Sequence, residues 1–233
     1  MATHLHPYFE LCAHDPALPS GEVIQGVEMV GLARAAACEI VVLAVPVNGM
    51  EATVAAIHPL LRPDALVLDV GSVKCIPAEI MRRGLPVTVD IIATHPLFGP
   101  QSAKHGIAGS KIALCPVRGS RTPRVAAFLS KMLRLEVIVT TPEEHDREAA
   151  MVQGLTHLIA KVLVQMEPLP TRMTTRSFDL IMKAVSMVRY DAPEVFQAIE
   201  RANPYAREVR TSFFQLAAAL DAELADSCSN IYG

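Results

Sequence analysis

Six short apolar runs, at residues 9–13, 40–45, 66–70, 89–93, 111–115 and 136–140, constrain the fold of this 233-residue chain more than any other feature. Most are continuous and rich in Val, Ile and Leu, without the polar alternation of a half-solvated strand. Helical patterns at 52–61, 76–83 and 124–133 separate several of them. Strand alternating with helix at this spacing predicts βαβ units and a parallel sheet buried on both faces. The composition agrees, since 51% of residues are apolar but only 5% aromatic, an aliphatic mixture suited to helices packed on such a sheet. Gly106, Gly109 and Gly119 punctuate the later strands and leave room for an antiparallel extension.

The pattern changes at Thr141-Pro142-Glu143-Glu144, a helix start with an N-cap, a proline in the first turn and acids at the positive end of the dipole. From there to Ala225 no strand pattern recurs, and the helical segments break at Pro168-Leu169-Pro170, Asp191-Ala192-Pro193 and Asn203-Pro204. The reading is an α/β domain over 1–142 and an all-α domain over 143–233. The first helix of the second domain, 142–166, carries an apolar stripe of Met151, Leu155, Leu158, Ile159 and Val162. With Phe213-Phe214-x-Leu216 it offers more apolar surface than a domain this small buries alone, which predicts a homodimer.

Other classes are disfavoured. The net charge of −3 and the scattered basic residues argue against a nucleic-acid partner. Cys12, Cys38, Cys75, Cys115 and Cys228 show no paired spacing and no histidine cluster, so they are expected to be reduced, mostly buried thiols, with no metal site. Without a signal segment or a membrane-length apolar run, the expectation is a cytoplasmic protein with no membrane contact.

Two strand ends carry chemistry. His95-Pro96-Leu97-Phe98-Gly99-Pro100 follows the run 89–93, and Asp69-Val70-Gly71-Ser72-Val73-Lys74 follows the run 66–70. Ligands of open α/β sheets sit at the carboxyl ends of the strands, so Ser72 and His95 in adjacent units mark a candidate site. A doubly wound sheet that binds a dinucleotide opens with strand, Gly-x-Gly-x-x-Gly and helix, and the sequence contains no such loop. Residues 4–7 read as the tail of that first helix and 8–15 as the second strand. Asp15 then stands where a carboxylate binds the adenosine 2′-hydroxyl and disfavours a 2′-phosphate, although Asp15-Pro16 is also ordinary turn chemistry.

Together, Asp69 to Lys74, Thr94 to Pro100 and a helical domain beginning near Glu144-His145-Asp146 resemble the prephenate/arogenate dehydrogenase family of tyrosine biosynthesis. The resemblance implies an N-terminally truncated Rossmann-like domain followed by a helical dimerisation domain. It implies NAD(P)-dependent oxidative decarboxylation of a cyclohexadienol, prephenate or arogenate, with NAD the cofactor expected from Asp15. His95 matches the family's catalytic histidine, and Ser72 a serine beside it and the nicotinamide. Ala44-Val45-Pro46-Val47 is a supporting pattern that assigns Val45 and Pro46 to the cofactor. His157 matches a site histidine on the first helix of the second domain, and Gln153 falls one turn earlier on the same face.

For the substrate carboxylate, Arg189 is the closest match, although Ser186 could occupy the family position and Arg172, Arg176, Arg207 and Arg210 remain candidates. Two rival readings stand beside this one. One is a non-catalytic dimeric relative that has lost tight nucleotide binding. The other is a β-hydroxyacid dehydrogenase, which would use Lys161 and leaves the His95 motif unexplained.

Overall fold

The computed structural model describes residues 2–24, 26–99, 101–104 and 106–229, with side chains through Asp226. Pro100 of the His95 motif and the Cys228 side chain lie outside the described residues. The chain divides into two compact units, Met1–Pro142 and Glu143–Gly233.

The first unit opens with a short helix, α1 (Ala2–Leu5), and three strands, β1 (Cys12–Ala13), β2 (Val23–Ile24) and β3 (Val27–Met29). These form a small sheet in which β1 runs parallel and β2 antiparallel to β3. After α2 (Leu32–Ala36) comes a five-stranded sheet of β4 (Ile40–Leu43), β5 (Leu66–Asp69), β6 (Asp90–Pro96), β7 (Lys111–Arg118) and β8 (Glu136–Val139), in that spatial order. The first three are parallel neighbours, joined by crossover helices α3 (Val47–Ile57) and α4 (Cys75–Gly84). Strand β7 reverses against β6, and α5 (Thr122–Lys131) returns the chain to β8, parallel to β7.

Side-chain alternation explains why these strands read as unbroken apolar runs. Val67, Ile91, Ala93 and Cys115 pack with Met50, Val54, Ile57, Ala78 and Met81 of α3 and α4. Their neighbours Leu66, Ile92 and Leu114 point to the other face, against Val125, Ala126 and Leu129 of α5. Both faces are therefore dry, and each fully buried Val, Leu or Ile contributes about 1.5–3 kcal/mol. The antiparallel extension allowed by the sequence is β7. Its Pro116 lies opposite Ile92, next to an irregularity in register between Ile91 and Ile92, where a residue with no N–H does least harm to the ladder.

Three expectations need correction. The strands do not form one sheet, because among the described residues no ladder joins the three-stranded sheet to the five-stranded one. The run 8–15 gives only the two-residue β1, because Tyr8 and Phe9 instead set their rings edge-on against Phe128 of α5, with Tyr8 Oη donating to Met132 O at 3.2 Å. Among the cysteines whose side chains are described, most are not buried: Cys12, Cys38 and Cys75 are partly exposed and Cys115 alone is enclosed in the core.

The second unit is helical among its described residues. Helix α6 (Pro142–Ala149) passes through a π-helical turn at Ala150–Gly154 into α7 (Leu155–Gln165), so the expected continuous helix is widened in its middle. Then come α8 (Arg176–Val188), α9 (Pro193–Gln197), a second π-helical turn at Ala198–Ala202 and α10 (Ala206–Ser229). Thr175 caps α8, its Oγ1 accepting from Phe178 N at 3.3 Å. Of the expected stripe Leu158 is buried, whereas Met151, Ile159 and Val162 are exposed, as are Leu180, Ile181, Phe214, Leu216, Leu220 and Leu224. No described helix is long and apolar enough to cross a membrane.

Candidate active site

Three of the expected site segments lie at the carboxyl edge of adjacent parallel strands. The Ala44–Val47 turn leaves β4, with Pro46 as the N-cap of α3. Ser72 lies in the turn between β5 and α4, and His95 is the penultimate residue of β6. Ser72 is partly exposed, while His95 is 4% exposed and pairs in register with Ala113 of β7. The strand thus runs past the histidine and holds its backbone on both sides, instead of ending before it.

What ties Ser72 to His95 is a group the sequence did not reveal. Lys74, the N-cap residue of α4, is completely buried, and so is Asp69 at the end of β5. Lys74 Nζ donates to Asp69 Oδ2 and, at 2.6 Å, to the carbonyl of Thr94, the residue before His95. Asp69 also accepts from Gly71 N at 3.0 Å and from Thr94 N at 3.1 Å. Thr94 Oγ1 closes the set by donating to Asp69 O. Burial pushes the Asp69 carboxyl up, and the Lys74 ammonium and the two backbone N–H groups pull against it. The turn bearing Ser72 is therefore clamped at both ends to the strand bearing His95. A lysine two residues after a serine looks solvent-exposed in sequence, and only its position inside an apolar stretch hints otherwise.

Asp15 lies just beyond β1, exposed, with Oδ1 accepting from Ala17 N at 2.9 Å. This is the turn chemistry that its Asp-Pro context allows.

His157 and Gln153 belong to the second unit. His157 is buried on α7, with Nε2 3.7 Å from Asp191 Oδ2 and its ring centroid 6.2 Å from that of Phe196. Burial pushes the imidazole pKa down, Asp191 opposes the shift and Lys161 adds to it, so His157 is neutral at pH 7. Lys161 stands over the Phe196 ring, 5.3 Å from its centroid. Gln153 lies in the first π-helical turn with Oε1 buried. Glu200, in the second such turn, approaches Gly154, and its Oε2 accepts from Arg210 Nη1 at 2.6 Å. Nearby, His145 Nδ1 and Asp146 Oδ1 are 2.8 Å apart, and Asn203 Nδ2 donates to Asp146 O at 2.7 Å. Arg189 is engaged in a two-pronged pair with Glu167. Arg210 thus has a clearer link than Arg189 to the neighbourhood of Gln153. Among the described residues no group of three or more His, Cys, Asp or Glu side chains is placed to hold a metal ion.

Both units match models of one protein family. The family model described as "Prephenate dehydrogenase, nucleotide-binding domain" matches residues 23–141, and "Prephenate dehydrogenase, dimerization domain" matches 141–230. The chain belongs to the prephenate dehydrogenase family. A Methanocaldococcus jannaschii protein named "Probable arogenate/prephenate dehydrogenase" is 28% identical over 75% of this chain and 41% of its own length. Arogenate dehydrogenase 2 of Arabidopsis thaliana is 32% identical over 64% of this chain and 43% of its own. The chain thus spans less than half the length of these curated relatives of the prephenate dehydrogenase family. A prephenate dehydrogenase from A. aeolicus, solved with hydroxyphenyl propionate and NAD+, shares the fold with a TM-score of 0.75 at 20% identity, over 98% of this chain and 87% of that one.

The clamp generates a stability prediction. Lys74→Met leaves a buried carboxyl without its partner and lowers unfolding free energy by about 3–5 kcal/mol in urea titration. Adding Asp69→Asn to that variant restores most of the loss. A double variant no more stable than Lys74→Met would show that the pair is not the stabilising element.

Proposed function

We propose that this chain is a nicotinamide-dependent dehydrogenase that oxidatively decarboxylates prephenate or arogenate. The observation that carries the proposal is the clamp of Lys74 and Asp69, which fixes the Ser72 turn and the His95 strand at one carboxyl edge. Ligands of open α/β sheets bind at such an edge. The exposed Pro46 turn, Ser72 and His95 fit the nicotinamide end of a dinucleotide, and Asp15 fits the adenosine ribose through Oδ2. When bound, that cofactor supplies a hydride acceptor.

His95 accepts the proton of the ring hydroxyl as hydride leaves the same carbon, carbon dioxide departs, and the ring becomes aromatic. The β6–β7 pairing around His95 fixes the backbone that carries the imidazole. Ser72 hydrogen-bonds at the same centre. The second unit carries its own candidate substrate-binding residues, His157, Gln153 and an arginine, Arg189 or Arg210, for a carboxylate. Arg189 reaches that role only by exchanging its bond to Glu167 for one to the substrate. The exposed apolar residues of α7, α8 and α10 pair with a second copy.

Three outcomes test these statements. His95→Asn lowers kcat by roughly 10²–10⁴-fold with the circular dichroism spectrum unchanged, and wild-type turnover in that variant removes His95 from the mechanism. The ratio of kcat/KM for NAD to that for NADP exceeds one, and Asp15→Asn lowers it by about tenfold, the equivalent of one charge-assisted contact. A ratio that Asp15→Asn does not move rules out Asp15 as the selector. In light scattering at micromolar concentration the chain is a dimer and Leu220→Glu shifts it towards monomer, while a monomeric wild type refutes the pairing.

A further inference from the structure

Cys12 and Cys38 are far apart in sequence, yet their sulfurs lie 3.6 Å from each other. Cys12 is the first residue of β1 in the small sheet, and Cys38 lies two residues before β4, the edge strand of the large one. The two sheets share no ladder among the described residues, so this contact sits at the seam between them. Both thiols are free and partly exposed. The remaining described cysteines are placed differently: Cys75 Sγ donates to Pro142 O at 3.3 Å, and Cys115 is enclosed in the sheet core.

We propose that Cys12 and Cys38 are a site of reversible intramolecular disulfide formation, driven by a small-molecule disulfide such as glutathione disulfide. One thiol loses its proton and attacks the oxidant, forming a mixed disulfide and releasing one glutathione thiol. The second cysteine sulfur then displaces the other glutathione, so two electrons and two protons pass from the protein to the oxidant. Closing the bond brings the sulfurs from 3.6 Å to about 2.05 Å, an approach within reach of side-chain rotation. Burial and the neighbouring Cys38 push the Cys12 thiol up, so little Cys12 thiolate exists at neutral pH. The contact offsets this, because a resolving sulfur already in place acts at high effective concentration. The product bolts the two sheets together three residues before Asp15.

The test uses the reduced full chain, incubated with glutathione disulfide, quenched with N-ethylmaleimide and digested with trypsin. Cleavage after Arg34 places Cys12 and Cys38 on separate peptides. The expected product is those two peptides joined, in a protein about 2 Da lighter, with both effects reversed by dithiothreitol. The oxidised chain melts roughly 5 °C or more above the reduced one, because the link closes a long loop of the unfolded chain. Cys38→Ser instead retains a glutathione adduct on Cys12 and shows no such rise. Stable glutathione adducts on both cysteines of the wild type, a disulfide mapped to any other pair, or two unreacted thiols would each overturn the proposal.

Discussion

A lysine and an aspartate, both fully withdrawn from water, hold the carboxyl edge of the sheet in the first unit in shape. Burying two charges costs several kcal/mol for each ion, and a pair of apolar residues of similar volume would often be no less stable. The pair is better understood through what it connects. Lys74 begins α4, Asp69 ends β5, and the carbonyl that Lys74 also holds belongs to β6. The end of β5, the start of α4 and the end of β6 are thereby fixed in one arrangement, with Gly71 N, Thr94 N and Thr94 O each held by a charged side chain. An apolar substitute would fill the same space without dictating which carbonyl or amide points where.

Much of the architecture was legible in the sequence because it depends on local pattern. Continuous Val/Ile/Leu runs and intervening helices gave β4 to β8 and α3 to α5, and the prolines gave the helix breaks of the second unit. His95 and Ser72 were legible for the same reason, since a polar residue at the end of a buried strand stands out. What escaped depends on contacts distant in sequence. Strands β2 and β3 are too short to show a period, and Tyr8 and Phe9 found an aromatic partner on α5 that no local pattern announces. The burial of Lys74, the pairing of Arg189 with Glu167 and the meeting of Cys12 with Cys38 are likewise set by the three-dimensional path.

The helical unit shows the same division between pattern and packing. Its amphipathic stripe was readable, but not the π-helical turns at Ala150–Gly154 and Ala198–Ala202. Such turns insert an extra residue per turn and shift the faces that follow, and they often accompany function. Here they carry Gln153 and Glu200, and His157 follows a single turn later on α7. A helical wheel drawn over 142–166 as one uniform helix therefore misassigns which residues face inward.

The reversal of β7 against β6 has an evolutionary corollary. After β4 and β5 the chain leaves the carboxyl edge through a helix, so changing those connections would disturb the packing of the sheet. After β6 the chain reverses into β7 instead, with Leu97 N donating to Lys111 O at 2.9 Å, so this connection starts and finishes beside the strand of His95. Part of it belongs to the scaffold, since Phe98, Ala103 and Ile107 pack with Ile112 of β7 and Leu135, and Gly109 N donates to Arg134 O at 2.8 Å. Change at its exposed positions, Leu97 and Gly99, alters the surface that follows the histidine and leaves the ladders and the charged clamp in place.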